Sequence, residues 1–252
     1  MGVLMDVGAN SPGLRIAMWS GPRNISTAMM RSWGSRPDTA VCDEPLYAHY
    51  LLRTGVDHPG AAEIIAHHET DWRAVVRWLT GPIPDGRAIF FQKHMSHHLL
   101  PDIDVHWLEG LANCFLIREP REVIVSLGKV IARPNLEQTG LPQQVDIFEH
   151  VCRCTGRTPP VVDSRDVLVD PRRVLSALCE RLGVPFMEQM LSWPPGPRTT
   201  DGIWARHWYA EVDRSAGFGP YRPRNEPVPD ELLPLLEQCE PLYRRLHQQR
   251  IA

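Results

Sequence analysis

Five short apolar runs, alternating with stretches of helical periodicity, constrain this chain more than any other feature. The runs are 14–19 (LRIAMW), 40–42 (AVC), 88–91 (AIFF), 114–117 (CFLI) and 161–162 (VV). Helical patterns occupy 26–34, 61–80, 120–132, 144–154 and 171–182. Parallel strands cannot be joined by a tight hairpin and need a crossover, usually a helix. The alternation therefore predicts an α/β fold, a three-layer sandwich in which a mainly parallel central sheet is flanked by helices. Ligands of such sheets bind beyond the carboxyl ends of the strands. The residues just after each run are thus the informative ones.

The bulk numbers narrow the function class. A chain of 252 residues can bury a full core, and 43% hydrophobic with 23% charged residues is ordinary for a globular protein. The net charge of −3 supplies no global field toward nucleic acid or an anionic membrane, so any anion site must be local. No apolar run approaches the roughly 18 residues of a membrane span. Residues 1–12 lack a basic flank followed by an apolar stretch and read as a disordered tail rather than a leader. The six cysteines read as reduced thiols of a cytoplasmic protein, because Cys152 and Cys154 are too close for a zinc knuckle and no second pair exists. Residues 13–252 read as one α/β domain ending in a loop (202–228) and a closing helix (230–249), with the Pro-rich stretch 193–201 (WPPGPRTTD) as a linker before them. The sequence does not fix the oligomeric state and is compatible with a homo-oligomer.

Four loops carry candidate chemistry. Gly21-Pro22-Arg23-Asn24-Ile25-Ser26-Thr27 joins the first run to a helix, the geometry of a phosphate-binding loop. It has no Gly-Lys-Ser/Thr, so it is not a nucleoside-triphosphatase loop. After the second run, Asp43 and Glu44 are either caps of the helix that Pro45 opens or include a general base. After the third come Gln92, Lys93, His94, His97 and His98, which fit an anion clamp or an acid–base group; no spacing supports a metal site. After the fourth, Arg118 is followed eight residues later by Ser126, placed to reach one phosphate together; Arg118 and Glu122 could equally be a surface pair.

This ordered set resembles the sulfotransferase family that uses 3′-phosphoadenosine 5′-phosphosulfate, with its P-loop-like fold. Pro22-Arg23-Asn24-Ile25-Ser26-Thr27 is similar to that family's 5′-phosphosulfate loop, with Ile25 where the family usually has Gly. Arg118 and Ser126, in REPREVIVS, are similar to its 3′-phosphate motif. Lys93-His94 before Leu99-Leu100-Pro101 and the stretch 163–186 match two further segments, with Gln92 in the place of a family lysine. The resemblance implies a nucleotide co-substrate, no metal, and an acceptor hydroxyl or amine on a small molecule or carbohydrate. It implies donor contacts from Arg23, Asn24, Ile25, Ser26, Thr27, Arg118 and Ser126, and catalytic roles for Arg23, Lys93 and either Glu44 or His94 as base. Trp33 is the aromatic proposed for the adenine. A non-catalytic nucleotide-binding module and a P-loop kinase are the alternatives.

Overall fold

The computed structural model describes residues 13–131, 133–223 and 226–251. The tail expected at 1–12 lies outside the described residues. All five apolar runs are strands: β1 (Leu14–Ser20), β2 (Thr39–Asp43), β3 (Ile89–Met95), β4 (Ala112–Ile117) and β5 (Val161–Asp163). They form one sheet in the order β2-β3-β1-β4-β5, and every pair is parallel. From β1 the chain goes to the edge strand β2, returns as β3 between them, and then crosses to β4 and β5 on the other side. Beyond the carboxyl end of β1, between β3 and β4, lies the crevice where such a sheet takes a ligand.

The period-2 alternation of side chains divides the core into two layers. Ile16 and Met18 of β1, Phe91 of β3 and Leu116 of β4 face one side. There they meet Met29, Met30 and Trp33 of α1 (Ser26–Gly34) and residues of α2 (Tyr47–Thr54). Ala17, Trp19, Phe90 and Phe115 face the other side, against α4 (Trp72–Thr80) and α6 (Leu141–Thr155). The helical pattern over 61–80 is two helices, α3 (Ala61–His67) and α4. They are divided where His68 turns extended and Asp71 caps α4 through Arg73 N. The helix after the fourth run, α5 (Pro120–Gly128), is shorter than the expected 120–132, and α7 (Ser164–Val169) precedes α8 (Pro171–Leu182).

The stretch 193–201 is not a linker. Asp201 receives both Nη atoms of the buried Arg31 of α1, Gly202 N donates to Asp43 Oδ2 at 3.1 Å, and Trp193 is buried. Four-residue α9 (Ala205–Trp208) follows, and the closing helix α10 (Leu233–His247) packs on α5 and α6. Ile251 N then donates to Val161 O of β5 at 2.9 Å. The C-terminal third is thus bonded to β2, α1 and β5 by polar groups that must be satisfied once buried. No helix among the described residues is long and apolar enough to cross a membrane.

Buried imidazoles set an acid limit on this fold. Burial lowers His94 and His97 to about 3 and His98 well below its ordinary value. In the unfolded chain they titrate near about 6.5. The folded state therefore binds fewer protons. Stability is full above that pH and is lost as pH falls from about 6.5 toward the folded values. His94→Phe should flatten the pH dependence of the urea-unfolding free energy between pH 7.5 and 5 by about 2 kcal/mol. An unchanged slope would mean that His94 does not stay neutral in the folded state.

Candidate active site

Two charged clusters occupy the carboxyl edge of the sheet. The first grows from the loop after β1. Gly21 approaches the 137–139 turn so closely that a Cβ there would lie 2.4 Å from Thr139 O. Only glycine allows that contact. Arg23 follows with φ of +57°, in the left-handed region that non-glycine residues rarely adopt. Asn24 holds the turn: its Nδ2 donates to Leu116 O at 3.1 Å, and its Oδ1 accepts from Ile25 N at 2.8 Å. Ile25 is the N-cap residue of α1, and no side chain among the described residues caps that helix. First-turn amides and the positive end of the dipole are thus left without a side-chain acceptor. Ser26 is buried and Thr27 half-buried in that first turn.

Ser126 and Arg118 meet this loop directly. Arg23 Nε donates to Ser126 Oγ at 2.9 Å, and Arg118 Nη1 donates to Arg23 O at 2.7 Å. Motifs almost a hundred residues apart thus form one cluster with two permanent cations. Arg118 also donates through Nε and Nη2 to Glu122 Oε2 at 2.9 and 2.8 Å, and Tyr221 donates to Glu122 Oε1 at 2.7 Å. The Arg118–Glu122 pair exists, but as a largely buried contact rather than a surface one. A cavity of about 380 Å³ opens beside it, lined by Arg165, Tyr221, Tyr243 and Arg250 among others. Trp33 is not on that wall: it is fully buried and stacked on Phe91. The side chain of Ile25 packs on the core, and its amide is already bonded to Asn24.

The second cluster joins β2, β3 and the C-terminal third. Register pairs Asp43 with Lys93, so both side chains leave the same face of the sheet. Lys93 Nζ donates to Asp43 Oδ1 at 2.8 Å, to Glu44 Oε1 at 2.5 Å and to Tyr209 Oη at 2.6 Å. The tyrosine donates to Asp43 at 2.7 Å. Burial alone would lower the Lys93 ammonium, but Asp43 and Glu44 overcome it and hold Lys93 well above its ordinary value. Burial raises the Glu44 carboxyl; the charge of Lys93 opposes the rise and that of Asp43 adds to it. Glu44 also has positive φ, at +41°. Arg23 and Glu44 are two of three such non-glycine residues among the described ones, and strain of this kind concentrates at functional sites.

His94 is not part of this cluster. It is adjacent to Lys93 in the strand, so it points to the opposite face, where it stacks on Trp19 at 4.3 Å and meets Gln92 Oε1 at 3.2 Å. Of the two candidate bases, Glu44 bonds Lys93, whereas the His94 ring lies against Trp19 on the other face of the strand. His98 is the histidine near Glu44, with Nδ1 3.9 Å from Oε2. It is stacked on Tyr47 and Tyr50 and kept neutral by burial. Tyr209 was legible only as part of an aromatic-rich stretch, 204–209. The grouping of metal-type ligands found among the described residues, Glu109, His150 and Cys154, includes none of these side chains.

A family model described as a sulfotransferase domain matches residues 14–249. Branched-chain-amino-acid aminotransferase-like proteins 2 and 1 of Arabidopsis thaliana are 36% and 35% identical over 228 residues, 90% of this chain. The chain spans 40% of the length of these two relatives. Among solved structures, a sulfotransferase from Alicyclobacillus acidocaldarius aligns over 96% of this chain and 98% of its own, with a TM-score of 0.54 and 13% identity. That likeness bears on the fold alone.

Removing the ammonium at the centre of the second cluster should be costly. Lys93→Met leaves Asp43 and Glu44 facing each other in a buried site. Urea unfolding at pH 8 should show a loss of about 3–5 kcal/mol. The loss relative to wild type should shrink at pH 5, where Glu44 can take up a proton. A loss below about 1 kcal/mol at pH 8 would show that water reaches the pair.

Proposed function

The chain belongs to the sulfotransferase-domain family, and on that premise we propose that it moves a sulfuryl group from 3′-phosphoadenosine 5′-phosphosulfate to a hydroxyl or amine of a small molecule or carbohydrate. The observation that carries this reading is the convergence of Arg23, Ser126 and Arg118 beside the uncapped start of α1. An uncapped helix start with two guanidinium groups favours a multiply charged anion. Two phosphate-bearing ends on one nucleotide give both arginines a role. The cavity beside Arg118, with Tyr221 and Tyr243 on its wall, offers room for a nucleoside.

In this reading the bound nucleotide supplies the sulfuryl group and a bisphosphate leaving group. Arg23 and the first-turn amides of α1 stabilise charge on the leaving oxygen as its bond to sulfur breaks. Glu44 takes the proton from the acceptor as the acceptor's oxygen or nitrogen bonds to sulfur. Its raised pKa moves it toward the working range of a base, and Lys93 keeps it oriented. Of the two candidates for the base this reading takes Glu44, and the packing of His94 on Trp19, on the other face of its strand, supports the choice. The chain spans 40% of the length of the plant relatives, so the aminotransferase-like name they carry is not brought to it.

Nucleotide binding tests the donor. Adenosine 3′,5′-bisphosphate at a hundredfold its Kd should stabilise the protein by about 2.7 kcal/mol, read as a rise in Tm. Adenosine 5′-monophosphate should do much less, and Arg118→Ala should erase the difference. Equal shifts with both nucleotides would overturn the assignment of Arg118 and Ser126 to a 3′-phosphate.

Turnover tests the roles. With an acceptor found by screening phenols, sugars, alcohols and amines, Arg23→Met should lower kcat on the order of 100-fold or more. Glu44→Gln should lower it roughly 100- to 10,000-fold while binding the bisphosphate normally. Near wild-type turnover in Glu44→Gln would remove Glu44 as base.

A further inference from the structure

Asp43 and Glu44 are adjacent carboxylates, and the structure treats them differently. Asp43 is fully enclosed. Its Oδ1 accepts from Lys93, and its Oδ2 accepts from Gly202 N at 3.1 Å and from Tyr209 at 2.7 Å. Glu44 has one short bond, from Lys93 to Oε1; the Tyr209 oxygen is 3.5 Å from the same atom. Its Oε2 accepts no hydrogen bond among the described residues and has His98 Nδ1 at 3.9 Å. That nitrogen is buried and without a partner among the described residues.

Tyr209 produces this difference. Its hydroxyl has one proton and two acceptor directions. The proton goes to Asp43, while the oxygen accepts from Lys93 at 2.6 Å and faces Trp204 Nε1 at 3.3 Å. Burial pushes the phenol well above its ordinary value, so it remains a donor. The residue comes from the strap formed by 198–213, which is anchored from both sides. Arg31 binds Asp201 and also Asp213, the latter at 3.2 Å, and Asp201 accepts from Arg198 N at 2.7 Å.

We propose that Tyr209 is a positioning residue that commits Asp43 to Lys93 and the strap and leaves Glu44 as the carboxylate with an open oxygen for a proton. This rests on the reading of Glu44 as base. The groups facing Glu44 are Lys93 from β3, Asp43 from β2, Tyr47 from α2, His98 from the 96–98 turn and Tyr209 from the strap. Loss of the Tyr209 hydroxyl takes a donor from Asp43. The anion is then less well compensated, draws more on Lys93, and raises the cost of a second negative charge on Glu44.

The test is the titration of the Glu44 carboxyl carbon by 13C NMR, its resonance identified by its absence in Glu44→Gln. Tyr209→Phe should raise the Glu44 midpoint by roughly half a unit to one unit, the equivalent of one net hydrogen bond. Asp43→Asn should shift it the other way, because the charge of Asp43 raises Glu44. If Tyr209→Phe loses its near-ultraviolet circular dichroism, 3-fluorotyrosine placed at 209 substitutes for it. As a stronger donor to Asp43, it should lower the midpoint. A Glu44 midpoint unmoved by the change at 209 overturns the proposal, as does one that moves in the same direction for Tyr209→Phe and Asp43→Asn. A merely structural tyrosine would lower Tm without this pair of opposed shifts. The titration needs neither nucleotide nor acceptor. An inactive protein with opposed shifts would therefore refute the transfer reaction and leave the positioning role standing.

Discussion

The buried ammonium of Lys93 is the constraint around which the functional edge is arranged. A charge taken out of water costs several kcal/mol unless it is paired and fully hydrogen-bonded. Lys93 has three protons and finds three acceptors, on Asp43, Glu44 and Tyr209. Those acceptors come from β2, from the residue just past it, and from a segment more than a hundred residues downstream. The requirement to satisfy one ammonium therefore fixes the C-terminal third against the sheet edge. It explains why a Pro-rich stretch that resembles a linker is tied down: Gly202 and Asp201 hold its far end to Asp43 and Arg31. Pairing of this kind is weak evidence for net stability but strong evidence for specific geometry, because any other arrangement strands a charge.

The anion end of the crevice follows a different logic. Its charges are arginines, which stay ionised in any environment, and they are held by neutral groups as much as by carboxylates. Arg118 bonds the carbonyl of Arg23, and Arg23 bonds the hydroxyl of Ser126. Asn24 bonds Leu116 O across to β4. The loop is thus rigid although its second residue is proline and its third has positive φ. Close approach at Gly21 and the uncapped start of α1 leave backbone amides available at the same place. A rigid, dipole-rich surface needs little reorganisation when charge develops against it, which is the property a leaving phosphate requires.

Much of the architecture was legible in the sequence. Five apolar runs separated by helical patterns allow a parallel sheet and few alternatives, and each run became a strand because burial on both faces selects continuous apolar stretches. The residues after those strands were legible as candidates for the same reason, since the carboxyl edge is where a parallel sheet meets its ligand. Arg23, Lys93, Glu44, Arg118 and Ser126 all lie there. That position 21 must be glycine became visible only in the folded structure, where it approaches Thr139 O.

Tertiary structure decided which of these residues meet. Lys93 and His94 are neighbours with equal chemical promise, and a period of two sends one to the charged edge and the other against Trp19. Nothing local distinguishes them, because the facing of a strand depends on which layer its neighbours bury. Asp43 and Glu44 are likewise adjacent, and their division of roles depends on Tyr209, which only the return of the chain brings to them. The sequence by itself determined the sheet, its loaded edge and the kinds of side chain available there. Pairing across long separations decided which side chains are fully bonded and which keep an open atom, since hydrogen bonds in a buried site are satisfied by position in space and not by order along the chain.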